Sequence, residues 1–200
     1  MRVRKVRRRK VNRSAERLEA GTRSVLPSRF NQDRSAVARP RVAVIGTRLF
    51  CARLNKLLRD QESLELVASI SSVKESVAAS TLYGAELAIV EIEIDGQASG
   101  VLLARALIDR SPGCGIMLVC RSFTDVVARH VWVYGAESWS LISGATASNP
   151  AGLTEAISST VRGMTWVEPG MSRVLAAFGP RPKSVEERRL LLLEASLRTA

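Results

Sequence analysis

From residue 41 the sequence alternates between two hydrophobic periods, and that alternation constrains the fold more than any other feature. Arg-Val-Ala-Val-Ile-Gly at 41–46 is a short β-branched run stopped by glycine, which predicts a strand. Leu49, Leu54, Leu57 and Leu58 then recur at helical spacing. The pattern repeats with strands predicted over 64–70, 86–91, 115–120 and 137–142, and helices over 73–80, 101–108 and 124–134. A last helix opens at Asn149 and Pro150, a capping residue followed by a first-turn proline. Its apolar positions are Leu153, Ala156, Ile157 and Val161. The apolar centre of 86–91 suits a strand buried on both faces. Five β-α units in strict order predict an α/β fold: a doubly wound, five-stranded parallel sheet in three layers. Ligands of such sheets sit at the carboxyl ends of the strands.

The residues before this region differ in kind. Residues 1–40 hold 13 Lys/Arg and 3 Asp/Glu, leaving 17 and 16 for residues 41–200. The net charge of +11 therefore belongs to a tail. Without apolar periodicity, and with Pro27 and Pro40 as breakers, 1–40 reads as a disordered basic tail. Arg2, Arg4, Lys5, Arg7, Arg8, Arg9 and Lys10 could contact nucleic-acid phosphates without sequence preference, or could simply be solvated. No run of eighteen apolar residues offers a membrane span, and no apolar stretch follows the first ten residues as a secretory signal would require. Cys51, Cys114 and Cys120 match neither a disulfide framework nor a zinc pattern, and suit a reducing cytoplasm. With His130 the sole histidine, a catalytic triad or multi-histidine metal site is not expected.

The first strand end, Ile45-Gly46-Thr47-Arg48-Leu49-Phe50-Cys51, lacks the glycines of a dinucleotide fingerprint at 48 and 51, and no P-loop is present. The order of segments instead resembles the receiver domains of bacterial response regulators, most closely those of NarL/LuxR-type transcription factors. The resemblance is carried by residues 41–58, by Ser-Leu-Glu-Leu-Val-Ala-Ser-Ile at 63–70 and by Ala-Glu-Leu-Ala-Ile-Val-Glu at 85–91. It continues in Gly-Ala-Glu-Ser-Trp-Ser-Leu at 135–141, similar to the family's Gly-Ala-x-Gly-Tyr-Leu, and in the Trp166 to Pro169 exit. It spans roughly 41–175 and implies a flavodoxin-like receiver fold.

The resemblance also implies a chemistry that this chain departs from. Receivers hold Mg²⁺ on an acidic pair after the first strand and phosphorylate an aspartate ending the third. A Ser/Thr after the fourth strand and a Lys after the fifth bind the phosphoryl oxygens. Here the acidic pair falls on Gly46 and Thr47, the acceptor on Glu91, the hydroxyl on Cys120 and the lysine on Ile142. A cation would find too few hard ligands and the added charge no partner, so a pseudo-receiver without enzyme activity or cofactor is expected. Glu91 either imitates a phosphorylated aspartate or simply closes a strand, and with Ile142 at the lysine position the second reading is preferred. Glu93 and Asp95 could offer further carboxylates but more readily face solvent. Cys120 is a small buried residue or a redox group. Trp139, at the family's switch-aromatic position, is either a core ring or part of a partner surface with Arg129 and His130.

Residues 41–165 are thus read as the receiver-like domain and 166–183 as a linker with a short helical turn at 171–178. Residues 184–200 are read as a C-terminal helix, opened by a capping box at Ser184 to Glu187. That helix is similar to the start of the family's helix-turn-helix domain, which is expected to be lost or truncated because no recognition helix fits before Ala200. Leu190 to Leu193 want a partner. The expected function is an atypical response regulator acting through a protein partner or a homodimer in transcription regulation. The alternatives are DNA binding through the basic tail, or small-molecule sensing by the emptied phosphorylation pocket.

Overall fold

A computed structural model describes residues 39–71, 84–94, 98–135 and 138–179, together with Ser184, Glu187 and Leu190. The expected tail and the expected helix at 73–80 lie outside the described residues, as does nearly all of 184–200. Strands β1 (Arg41–Ile45), β2 (Glu65–Ile70), β3 (Leu87–Glu91), β4 (Gly115–Cys120) and β5 (Ser140–Ser143) form one sheet in the order β2-β1-β3-β4-β5. Every pairing is parallel. The helices are α1 (Arg48–Arg59), α2 (Ser99–Arg110), α3 (Asp125–Tyr134), α4 (Gly144–Ser148), α5 (Pro150–Val161) and α6 (Pro169–Ala177).

Strand alternation divides the core in two. Val42, Val44, Leu87, Ile89, Met117, Val119 and Ile142 face α1 and α5, where Leu54, Leu58, Leu153 and Ile157 meet them. Ala43, Ile45, Ala88, Val90, Leu118 and Leu141 face the other way, against Val101, Leu107, Val127 and Val131 of α2 and α3. The central strand β3 is buried along its whole length. Two covered faces explain why it reads as a continuous apolar run rather than an alternating one.

Short polar residues set the helix starts. Thr47 caps α1 by accepting the Phe50 N–H, Thr124 caps α3 through Val127, and Asn149 caps α5 through Ala151, with Pro150 in the first turn. Each side chain satisfies an amide that the first helical turn leaves without an internal partner.

The exit from the domain is more structured than a linker. The Leu141 N–H donates to the Trp166 carbonyl at 2.6 Å, and the Glu168 N–H donates to the Leu141 carbonyl at 3.2 Å. Val167 therefore lies beside β5 in a parallel bridge. Helix α6 follows at once and docks on α3. Trp132 stacks on Phe178 with ring centroids 5.6 Å apart, and its Nε1–H donates to the Gly179 carbonyl at 3.1 Å. Further on, the Glu187 N–H donates to Ser184 Oγ at 3.0 Å, the bond that a helix-capping serine makes.

Candidate functional site

The parallel register gathers the four strand ends named by the sequence. Ile45 pairs with Val90, Glu91 with Val119, and Val119 with Ile142. Gly46, Thr47, Glu91, Cys120 and Ile142 therefore lie at the same carboxyl edge, but they do not form a set of ligands.

Glu91 is the centre of this edge. Its side chain is 4% exposed. Oε2 accepts the Thr47 N–H at 2.7 Å, and Oε1 lies 3.7 Å from Nε of Arg121. A buried carboxylate needs such partners, because losing water costs several kcal/mol unless hydrogen bonds and opposite charge replace it. Gly46 makes room for it. A Cβ there would stand 2.7 Å from Glu91 Cβ, 2.9 Å from Oε2 and 2.5 Å from Phe50 Cδ1. Here glycine is required by close approach of a side chain, not by its backbone angles.

Arg121 is the residue that sequence reading missed. It follows β4 directly, where no receiver motif draws attention to it. Its guanidinium also donates to the Glu93 carbonyl at 3.2 Å. In return, the Glu93 carboxylate accepts the Arg121 N–H at 3.1 Å and the Ser122 N–H at 3.1 Å. Glu93 was expected to face solvent; it holds the start of the loop between β4 and α3. The only advance signal was chemical: a basic residue one step past the hydroxyl position, opposite two glutamates. Although Ile142 stands at the lysine position, the Glu91 charge is answered by an amide and a guanidinium.

This donor set does not fit Mg²⁺. Positions 46 and 47 carry no carboxylate, Glu91 is already committed to Thr47 and Arg121, and Glu93 to two amides. Among the described residues, no group of three His, Cys, Asp or Glu could hold a metal ion. Asp95 lies outside the described residues.

The remaining positions are apolar or closed. Ile142 is fully buried against Leu153 and Val119 and cannot stand in for a lysine. Cys120 is fully buried, its Sγ 3.7 Å from the Ile142 carbonyl. Burial first, then the Glu93 and Glu168 carboxylates, push its thiol up to about 12. It therefore stays protonated at neutral pH, unlike a redox-active thiolate. Burial likewise raises Cys114 to about 11, and raises Cys51.

Trp139, Arg129 and His130, read as a core ring or a partner surface, have different surroundings. Trp139 is 4% exposed and packs in the core with Val131, Leu141 and Met171. Its Nε1–H is buried and without a hydrogen-bond partner. Arg129 stands over the Phe178 ring, 5.6 Å from its centroid, and so is engaged by the α6 end of the chain. His130 lies elsewhere on α3, with Nδ1 2.8 Å from the Val126 carbonyl, beside a groove shared with Leu102 of α2. Arg2, Arg4, Lys5, Arg7, Arg8, Arg9 and Lys10 lie outside the described residues.

A second glutamate also acts at this edge. Glu168 Oε1 accepts the Ser143 N–H at 2.8 Å and the Ser143 hydroxyl at 2.9 Å. Burial opposes its ionisation, but these bonds and the Thr146 hydroxyl outweigh burial and hold the carboxyl below its ordinary value. Between α1 and α4, above Glu91, lies a cavity of about 300 Å³.

No protein-family model matches the sequence, and no curated protein matches it. Solved structures do match. One is a two-component response regulator of the LuxR family from Aurantimonas sp. SI85-9A1, at 15% identity and TM-score 0.57, covering 70% of this chain and 98% of that one. Another is the isolated receiver domain of RcsB from Salmonella enterica serovar Typhimurium with the phosphomimetic BeF3−, at 15% identity and TM-score 0.56, covering 69% and 99%. A third is the receiver domain of the response regulator NarL from Mycobacterium tuberculosis, at 13% identity and TM-score 0.53, covering 62% and 98%. At such identities the match speaks for architecture alone, and the architecture of this chain is the flavodoxin-like receiver fold.

Proposed function

We propose that this chain is a receiver-like signalling module that works through protein contacts without accepting a phosphoryl group. One observation carries the reading. The carboxylate at the acceptor position is buried and already neutralised by its own chain, through the Thr47 amide and the Arg121 guanidinium. Phosphoryl transfer needs a cation or fixed positive groups facing the transferred oxygens, and a nucleophile free to attack. This edge offers an arginine already engaged by Glu91 and by the Glu93 carbonyl, an isoleucine in place of the lysine, and a carboxylate with one oxygen hydrogen-bonded and the other ion-paired.

The neighbouring solved structures are response regulators, which supports a role in signal transduction and, through the LuxR type, in transcription regulation. Arg121 brings a positive charge to Glu91 with no metal ion, and Glu93 ties the start of the loop after β4 through the Arg121 and Ser122 amides.

The test is a set of amide NMR spectra of the full chain with and without Mg²⁺ and beryllofluoride. The Thr47, Glu91 and Arg121 resonances are expected to stay in place. Saturable shifts at these residues on adding both reagents would contradict the proposal.

A further inference from the structure

We propose that the cavity above Glu91 binds a small molecule bearing one carboxylate on an apolar body. The inference rests on the reading that this edge no longer handles a phosphoryl group.

The cavity, about 300 Å³, is at the lower end of the range for small-molecule sites. Its walls divide by chemistry. Leu49, Phe50, Leu54 and Leu57 of α1 form an apolar side, and Ala147 of α4 closes it opposite. Leu49 is 62% exposed and extends the apolar wall to the mouth of the cavity. The charged lining is Arg53, Arg121 and Glu91. Glu91 is matched by Arg121 and by the Thr47 amide, so Arg53 is the excess charge. Among the described residues, no carboxylate pairs with it.

A lining with one surplus guanidinium and an apolar wall selects an amphipathic monoanion. A carboxylate suits the planar donor fork of arginine, and a single negative charge matches the surplus. A dianion would leave one charge unanswered, and a cation would meet Arg53 and Arg121 with only a committed Glu91 to attract it. The Thr47 hydroxyl, which accepts the Phe50 N–H, keeps its own proton as a further donor at the rim. Ile142 packs in the core and does not enter this space, which Gly144 and Ala147 bound on the β5 side.

Isothermal titration of the full chain with octanoate, 1-octanol and octylammonium tests the inference. Octanoate is expected to bind one per chain, about tenfold or more tighter than either analogue, the difference expected of a charge-assisted contact. Arg53→Ala should weaken octanoate by about tenfold on the same grounds. Leu49→Glu should abolish binding by placing a like charge on the apolar wall. Both positions are exposed, so both variants keep the fold. No binding of octanoate, equal binding of 1-octanol, tighter binding of octylammonium, or octanoate binding unmoved by both substitutions would each overturn the inference. Acetyl phosphate with Mg²⁺ separates the two levels. Failure of octanoate with an unchanged protein mass defeats the ligand site alone, whereas a phosphoryl group on Glu91 defeats the reading beneath it as well.

Discussion

Single residues decide what the carboxyl edge can do, and Gly46 and Glu91 decide most of it together. Glu91 fills the space beside position 46, so Gly46→Ala is expected to destabilise the fold by about 1–3 kcal/mol, as overpacking does; urea unfolding would measure it. Glu91→Ala takes the acceptor from the partly buried Thr47 N–H and should cost about 1–3 kcal/mol in the same assay. Arg121→Ala should cost no more than about 1 kcal/mol, because Arg121 is 66% exposed and water screens its pairing. Two titrations follow from the shifted groups. Cys120 is raised in the fold to about 12, so stability should fall as pH climbs from its ordinary 9.0 toward 12, where the unfolded thiol ionises and the folded one resists. Glu168 is lowered, so its contribution is present above 4.5 and lost as pH falls through the folded value; Glu168→Gln should flatten that acid limb in a pH series of thermal melts. That positions 46, 47, 91, 120 and 142 share one edge was legible in the sequence because parallel register fixes the neighbours of each strand end. Arg121 and Glu93 were not legible, because their meeting depends on how two loops fold across the edge.

At the scale of elements, periodicity located every described strand, and capping chemistry located the start of α5. The differences fall where local pattern carries least information. Strand β5 begins at Ser140 rather than at 137, and Trp139 turns into the core ahead of it. Helix α4, five residues long, is too short to show a period. The segment from Trp166 to Glu168 has no strand signature of its own, and is held by two backbone bonds to Leu141 that only tertiary structure supplies. Helix α6 was visible as a helical turn at 171–178, but not its docking on α3. That docking predicts that residues 41–165 are not a sufficient unit. A chain ending at 165 loses Val167, Met171 and Phe178 from the cover over Trp139 and Trp132. It should melt at a lower temperature than one ending at 179, with tryptophan emission shifted to longer wavelength. Identical melts and emission would contradict the packing role of α6.

For the whole molecule, fold and chemistry separate. The sheet order, the two-sided core and the helix layers are those of a receiver, while the charges at its edge are arranged as a closed internal network from Thr47 through Glu91 and Arg121 to Glu93. A fold is kept by burial over many residues, but its chemistry depends on four or five side chains that can change without unsettling the core. The most direct test of this account is intact mass spectrometry of the full chain after incubation with Mg²⁺ and acetyl phosphate. The account predicts an unchanged mass, both for the natural sequence and for Glu91→Asp, because the acidic pair and the lysine are missing in either case. A covalent phosphate that appears on the natural chain and disappears in Glu91→Ala would contradict it.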